Sequence, residues 1–149
     1  MQRAIPNGSA AEADFQTLKY VADNLHVIDL HGLSDVAIAH RPEPGHVLWG
    51  KFSYGDALSR RPEAWLWGHR LVRPRPITDY STETLITDLD KTAYFAGLGD
   101  VPTGALATQM VNDYVPASLS VCGSYFNLLV RRDVAARFRD VGFLIGSAR

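Results

Sequence analysis

The chain has 149 residues, of which 46% are hydrophobic and 21% are charged, and its 15 basic and 16 acidic side chains leave a formal net charge of −1. A chain of this length buries roughly two-thirds of its unfolded surface around one core. The nearly balanced charge excludes the basic surface of a general nucleic-acid binder, so no nucleic-acid partner is expected. The single cysteine, Cys122, cannot form an internal disulfide, and its place in an apolar run predicts a small buried side chain.

The amino-terminal part of the chain predicts a lead-in, a helix and a strand. Residues 1–9 are small and polar and predict a flexible lead-in to a single α/β domain over residues 10–149. From Ala10 to Leu25, apolar positions recur at helical spacing, which predicts an amphipathic helix. The run HVIDL that follows alternates as a β-strand does, so its polar side chains, Asp29 among them, share one face.

A turn and a short helix are predicted to follow this strand. Gly32 permits a sharp turn, and Asp35 supplies a side-chain oxygen that can cap the helix. Pro42 and Pro44 end that helix, so residues 40–46 are expected to form an exposed loop that returns over the end of the strand. The sequence therefore predicts a rim of charged and polar groups at this corner of the fold.

The remaining elements alternate between helices and strands. In chain order they are a helix over 52–58, a strand over 64–67, a loop over 69–80, a short strand over 82–88, a helix from Thr103 to near Pro116, a strand over 119–130, and a helix from Asp133 to Gly142. The strand over 64–67 is apolar on both faces, which is typical of a parallel strand covered on both sides, and together with HVIDL it implies a βαβ crossover. The predicted fold class is α/β, a small three-layer-like domain with a short, mostly parallel sheet and flanking helices.

Two acidic segments suggest metal-dependent hydrolysis. Asp29 and His31 match the first metal pair of amidohydrolase-type enzymes, but that scaffold is a barrel of about 250 residues. The run ITDLDKT, with Asp88 and Asp90, resembles the first motif of haloacid-dehalogenase-like phosphatases, in which a carboxylate after a strand attacks phosphate. The residues before it are too polar for a buried strand, so a solvated acidic loop is the preferred interpretation. A small metal-dependent hydrolase that uses either pair is kept as an alternative.

Large aromatic and basic side chains offer further binding candidates. Trp65 falls inside a predicted buried strand, so core packing explains it better than ligand binding. Trp49 lies in the polar loop and is the candidate for stacking on a sugar ring, which makes a free-standing carbohydrate-binding module a second alternative. Arg131 and Arg132 are interpreted as the solvated start of the last helix.

The segment over residues 24–46 follows the pattern VID..GL.D..IA......GH. The positions that carry this pattern are Val27, Ile28, Asp29, Gly32, Leu33, Asp35, Ala39, Arg41, Pro42, Gly45 and His46. The segment resembles the soluble tail of multi-spanning bacterial glycosyltransferases of the GT-C type, especially the arabinofuranosyltransferase-like proteins of the cell envelope. A looser likeness extends over most of the chain, through the runs RRPEAWLW, NDYVPASL and GSYFNLLVRRDV.

This resemblance implies a non-catalytic accessory domain that contacts the acceptor glycan or the membrane-embedded transferase domain, while a polyprenyl-phosphate sugar donor binds elsewhere. No catalytic residue carries over, and neither a metal nor another cofactor is expected. The expected substrate-binding residues are Asp29, Asp35, Arg41, His46 and Trp49. The alternative for the two carboxylates is structural, namely that they hold the turn by accepting backbone N–H bonds.

The expected location depends on whether the chain is a domain of a larger transferase or a complete protein. As an excised domain of such a transferase it belongs on the extracytoplasmic side of the cell membrane. As a complete protein it belongs in the cytoplasm, because no run of about 18 apolar residues and no signal-peptide core occurs in the sequence.

Overall fold

The computed structural model describes residues 1–12, 24–30, 36, 40, 54–66, 72–90 and 104–147. The elements in these ranges are β1 (Ser9–Glu12), β2 (His26–Asp29), α1 (Tyr54–Ser59), β3 (Ala64–Leu66), β4 (Val72–Arg73), α2 (Thr82–Asp90), α3 (Gly104–Asp113), β5 (Tyr114–Val121), β6 (Ser124–Arg131), a 3₁₀ turn (Arg132–Val134), α4 (Ala135–Asp140) and β7 (Leu144–Ile145). Helices and strands mix along the chain, so the predicted α/β class is confirmed.

The described strands form one mixed sheet. Their order is β2-β1-β3-β6-β5-β7, and β4 also pairs with β6. Strand β1 runs parallel to both β2 and β3, whereas β6 runs antiparallel to β3, β4 and β5, and β5 runs antiparallel to β7. The prediction of a mostly parallel sheet is therefore wrong. The cause is the carboxyl-terminal half, where consecutive strands joined by a tight turn can only pair in the antiparallel sense.

The predicted single strand over 119–130 is in fact a hairpin. Strands β5 and β6 meet at a two-residue turn, with Val121 and Ser124 as the last register pair. Cys122 and Gly123 occupy that turn with φ of 49° and 78°. Positive φ at both central residues is typical of the type I′ turn, whose twist matches that of the flanking strands. Cys122 is exposed at the turn, so the prediction of a buried cysteine is also wrong.

Helix α2 replaces the predicted short strand over 82–88. The backbone N–H of Thr84 donates to Ser81 Oγ at 3.0 Å, so Ser81 acts as the cap of the first turn. Leu85 and Ile86 are buried one turn later and pack the helix onto the sheet. The capping signal lies in the run STET, and the side-chain hydrogen bond outweighs the modest strand preference of its threonines.

The amino-terminal residues pack into the core instead of forming the predicted lead-in. Ala4 and Ile5 are buried, and residues 1–8 run through turns into β1. The predicted helix from Ala10 is wrong for residues 10–12, which lie in β1 between β2 and β3, while residues 13–23 lie outside the described part. Ala10 and Ala11 favour helix locally, but pairing of β1 with β2 and β3 holds them in a strand, where both are fully buried.

The other predicted elements are confirmed with small differences. The first strand, the strand over 64–67 and the helices near 54, 104 and 135 all occur. The last helix ends where Gly142 takes a φ of 98°. The loop over 69–80 contains the short strand β4, and the helix from Thr103 ends at Asp113 because the chain enters β5 at Tyr114.

Two hydrophobic clusters lie on the two faces of the sheet. The Trp65 cluster packs the sheet against α1, α2 and α3, and its members are Ala11, Ile28, Leu30, Tyr54, Ala57, Leu58, Trp65, Leu85, Ile86, Met110, Tyr114 and Leu129. The Phe138 cluster packs the other face against the amino-terminal turns and α4, and its members are Ala4, Ile5, Ala10, Leu25, Ala64, Leu66, Val115, Ala117, Leu128, Val130, Val134, Ala135, Phe138 and Phe143.

The packed amino terminus predicts a penalty for Gly8→Ala. A Cβ at Gly8 would clash with Glu63 Oε2 and lie 2.7 Å from the Cβ of Ile5. Glu63 Oε2 accepts the backbone N–H of Ser9 at 2.9 Å, so the clash also disturbs the start of β1. We expect a loss of about 1–3 kcal/mol in the free energy of unfolding, measured by urea denaturation. Ser120→Ala, on an exposed strand end, is the control, and equal stability of the two variants would contradict the packing described.

Candidate functional site

Two buried carboxylates lie side by side where the first two strands end. Asp29 is the last residue of β2, Glu12 is the last residue of β1, and the two are register partners. Register partners in a parallel pair point to the same face of the sheet, here the face of the Phe138 cluster. Only 3% of Glu12 and 2% of Asp29 is exposed. We refer to Glu12 and Asp29 as the carboxylate pair.

The carboxylate pair lies at a switch point of the sheet. The chain leaves β1, adds β2 on one side, and later adds β3 on the other side, so the strand order reverses at β1. On the β3 side, Glu12 pairs with Leu66. In open α/β sheets, ligands bind outside the carboxyl ends of parallel strands at such a reversal. The topology therefore marks the edge that carries Glu12 and Asp29 as the candidate site.

The structure locates only part of the predicted site. Asp29 is placed at the strand end as predicted, but it is buried and does not form an exposed rim. The strand pairing continues past it, because the backbone N–H of Leu30 donates to the Glu12 carbonyl at 3.0 Å. The remaining predicted binding residues, Asp35, Arg41, His46 and Trp49, lie outside the described residues.

The predicted helix after the turn is described at two positions only. The backbone N–H of His40 donates to the Val36 carbonyl at 3.1 Å, which is the spacing of a helical turn. Val36 is 71% exposed, so this turn does not bury the side chain that the sequence pattern assigned to an apolar face.

Sequence reasoning missed Glu12, the partner of Asp29. The pattern from Ala10 onward favoured a helix, which would have separated Glu12 from the strand ends. The available signal was weak, because a four-residue strand with two alanines shows neither alternation nor β-branched side chains. Only the long-range pairing of β1 with β2 and β3 brings Glu12 to Asp29.

The metal-dependent alternatives gain no support from the described residues. Across the described ranges, no group of three or more His, Cys, Asp or Glu side chains is arranged to hold a metal ion. Asp88 and Asp90 lie in the last turns of α2, so the strand that must precede a phosphatase-type motif is a helix here. His31, the proposed partner of Asp29, lies outside the described residues.

The two consecutive arginines are engaged in structural contacts. Arg131 Nε lies 2.6 Å from Asp133 Oδ1, and this hydrogen bond raises the pKa of Arg131 and lowers the pKa of Asp133. Arg132 donates from Nε to the Asn112 carbonyl at 2.6 Å and from Nη2 to the Val111 carbonyl at 2.8 Å. Arg132 thus satisfies carbonyls at the end of α3, so the prediction of a merely solvated pair is corrected.

The fold and the site define an α/β domain with a mixed sheet and a buried carboxylate pair at its switch point. No family model, curated protein or solved structure matches the chain. Among the described residues, no helix has the length and apolar character needed to cross a membrane.

Proposed function

We propose that this chain is a non-catalytic accessory domain of a polyprenyl-phosphate-sugar-dependent glycosyltransferase of the bacterial cell envelope. In this proposal it acts on the extracytoplasmic side, where it contacts the acceptor glycan or the membrane-embedded transferase domain. The observation that supports it most is the position of the VID..GL.D segment. Its first residues form β2, and β2 ends at the switch point of the sheet, which is where this class of fold binds ligands.

The burial of Asp29 indicates a structural role for this residue and leaves ligand contact to the other proposed site residues. Because Asp29 is 2% exposed, it supports the end of β2 beside Glu12 and does not itself meet a polymer. Ligand contacts then fall to residues of the following segment. Trp49 supplies an aromatic face for a sugar ring, while Arg41 and His46 supply hydrogen-bond donors and Asp35 an acceptor for sugar hydroxyls.

Glycan titration of the 149-residue chain tests this proposal. Isothermal titration against arabinofuranose oligosaccharides is expected to show weak saturable binding, with maltose oligosaccharides as the pyranose control. Trp49→Ala should weaken binding at least about tenfold, because stacking of a sugar ring on the indole is the main apolar contact of the proposed site. Arg41→Ala should weaken it less, and Arg139→Ala, at an exposed position on α4, should leave it unchanged.

Two outcomes contradict the proposal. Equal binding by the Trp49→Ala and Arg139→Ala chains would remove the proposed site. Release of free sugar that stops on addition of a metal chelator would favour the hydrolase alternative instead. The genomic locus separates the accessory domain from a free-standing carbohydrate-binding module, because the proposal expects hydrophobic spans encoded in frame just upstream of residue 1.

A further inference from the structure

The hairpin of β5 and β6 ends in an exposed and uncharged tip. We define the hairpin tip as residues 120–125. Residues 120–123 are exposed, and Val121 is 46% exposed. From Tyr114 to Val130 the sequence contains no charged residue, although 21% of the whole chain is charged. Exposed two-residue hairpin turns usually carry polar pairs such as Asn-Gly, so the apolar run Val-Cys-Gly is unusual for a surface facing water.

On its β5 side, the hairpin tip extends past the neighbouring strand β7. Strand β7 pairs with β5 only at Ala117 and Ser118, and β4 pairs with β6 only at Phe126 and Tyr125. Beyond Ser118, no described strand continues the β7 side of β5. Relative to the described part of β7, the tip thus projects as a narrow uncharged wedge that exposes Val121.

Positive charge lies beside this wedge. Arg73 in β4 is the register partner of Tyr125 at the tip, and Arg75 is exposed two residues later. The sequence from Ala64 to Thr78 contains no acidic residue, and the exposed Asp79 follows it.

A buried polar pair, Ser118 and Asn127, holds the backbone around Arg75 against the hairpin. Ser118 Oγ donates to Asn127 Oδ1 at 2.7 Å across the two strands. The backbone N–H of Ile77 donates to Ser118 Oγ at 2.9 Å, and Asn127 Nδ2 donates to the Arg75 carbonyl at 3.4 Å. These contacts fix the backbone of Arg75 beside the strand that leads to the tip.

We propose that the hairpin tip inserts into the interfacial region of an anionic lipid bilayer, with the exposed Arg75 meeting lipid phosphates. An uncharged tip with an exposed valine beside a cation can bind such a surface, because apolar burial and phosphate attraction add. The tip reaches only the interface, since the part of β5 that no described strand pairs with carries backbone polar groups that hydrocarbon cannot satisfy. Either signal alone is weak, so binding needs both.

This attachment orients the candidate site toward the membrane. Trp65 in β3 pairs with Leu129, so the carboxyl ends of the parallel strands lie near the middle of β6. The turn lies six residues from Leu129 toward the start of β6, roughly 20 Å at about 3.3 Å per residue, beyond the same edge of the sheet. The inference stands independently of the proposed function, because lipid and glycan binding use different residues.

The only cysteine of the sequence makes the test direct. Cys122 lies in the exposed turn and can be labelled with the environment-sensitive dye NBD without any substitution. Vesicles of phosphatidylglycerol and phosphatidylcholine in a 1:3 ratio are expected to shift NBD emission to the blue and raise its intensity. Pure phosphatidylcholine vesicles should bind the chain at least about tenfold more weakly than the anionic vesicles. High salt should remove this difference in affinity between the two kinds of vesicle.

Matched variants test whether lipid binding depends on the hairpin tip and on Arg75. In vesicle flotation of unlabelled chains, Val121→Glu should lower the partition coefficient at least about fivefold, whereas Leu144→Glu, at a site 50% exposed on β7, should not. Arg75→Glu should lower it about tenfold on anionic vesicles, and Arg139→Glu should have a clearly smaller effect. Circular dichroism checks that each variant is folded.

Several results would overturn this inference. One is an NBD spectrum that does not change at millimolar anionic lipid. Another is an equal fall in the vesicle partition coefficient for Val121→Glu and Leu144→Glu, or for Arg75→Glu and Arg139→Glu. A stable dimer that hides the label in the absence of lipid would identify a second copy of the chain as the occupant and would also overturn it.

Discussion

Trp65→Ala is expected to lower the free energy of unfolding by about 3–5 kcal/mol. Trp65 is fully buried in β3, at the centre of the Trp65 cluster. Its ring stacks on Tyr54 at a centroid distance of 5.8 Å and meets Tyr114 edge-on at 6.1 Å. Alanine would remove both ring contacts and leave a cavity between α1 and the sheet. Urea denaturation followed by far-ultraviolet circular dichroism measures the loss.

Two further substitutions make this prediction specific to packing. Trp65→Phe keeps a ring between Tyr54 and Tyr114 and should retain part of the stability lost with alanine. Leu144→Ala removes an apolar side chain that is half exposed and should change stability by less than about 0.5 kcal/mol. A cost below about 1 kcal/mol for Trp65→Ala would show that Trp65 is not at the centre of the core.

The sequence predicted those strands in which the order of apolar and polar residues matches the faces that are buried. In β2, Ile28 belongs to the Trp65 cluster and Val27 packs against the Phe138 cluster, as the alternation of HVIDL indicates. In β3, all three residues are buried, which an apolar run on both faces predicts. These patterns also placed Asp29 correctly at the end of β2.

The failures share a physical cause, which is that long-range pairing outweighed the local signal. Ala10 and Ala11 favour a helix, yet β1 gains hydrogen bonds from two neighbouring strands. In the carboxyl-terminal half, the apolar run over 119–130 conceals a turn that only the positive φ of Cys122 and Gly123 reveals. Glu12 was missed for the first reason, so half of the carboxylate pair depended on topology and not on local pattern.

The buried phenol of Tyr114 predicts a loss of stability at alkaline pH. Burial raises the pKa of Tyr114 to about 12 from its usual value of 10. The hydroxyl also donates to the Pro62 carbonyl at 2.8 Å, a bond that only the protonated form makes. Because the folded pKa is raised, this stabilisation is fully present below pH 10 and is lost as the pH rises toward 12. The loss attributable to Tyr114 is roughly 2–3 kcal/mol across that window.

Tyr114→Phe separates this contribution from every other alkaline titration. At pH 8 the variant should be less stable by about 1 kcal/mol, because the hydrogen bond to Pro62 is gone. Phenylalanine has no proton to lose, so the variant should lose less stability than the natural chain between pH 10 and pH 12, and the difference should shrink or reverse. Urea denaturation at pH 8, 10, 11 and 12 measures both curves, with Tyr80→Phe, at a residue 46% exposed, as the control. Parallel curves for the natural chain and Tyr114→Phe would mean that the Tyr114 phenol ionises as readily in the folded chain as in the unfolded one, which is incompatible with its place between β3 and Pro62.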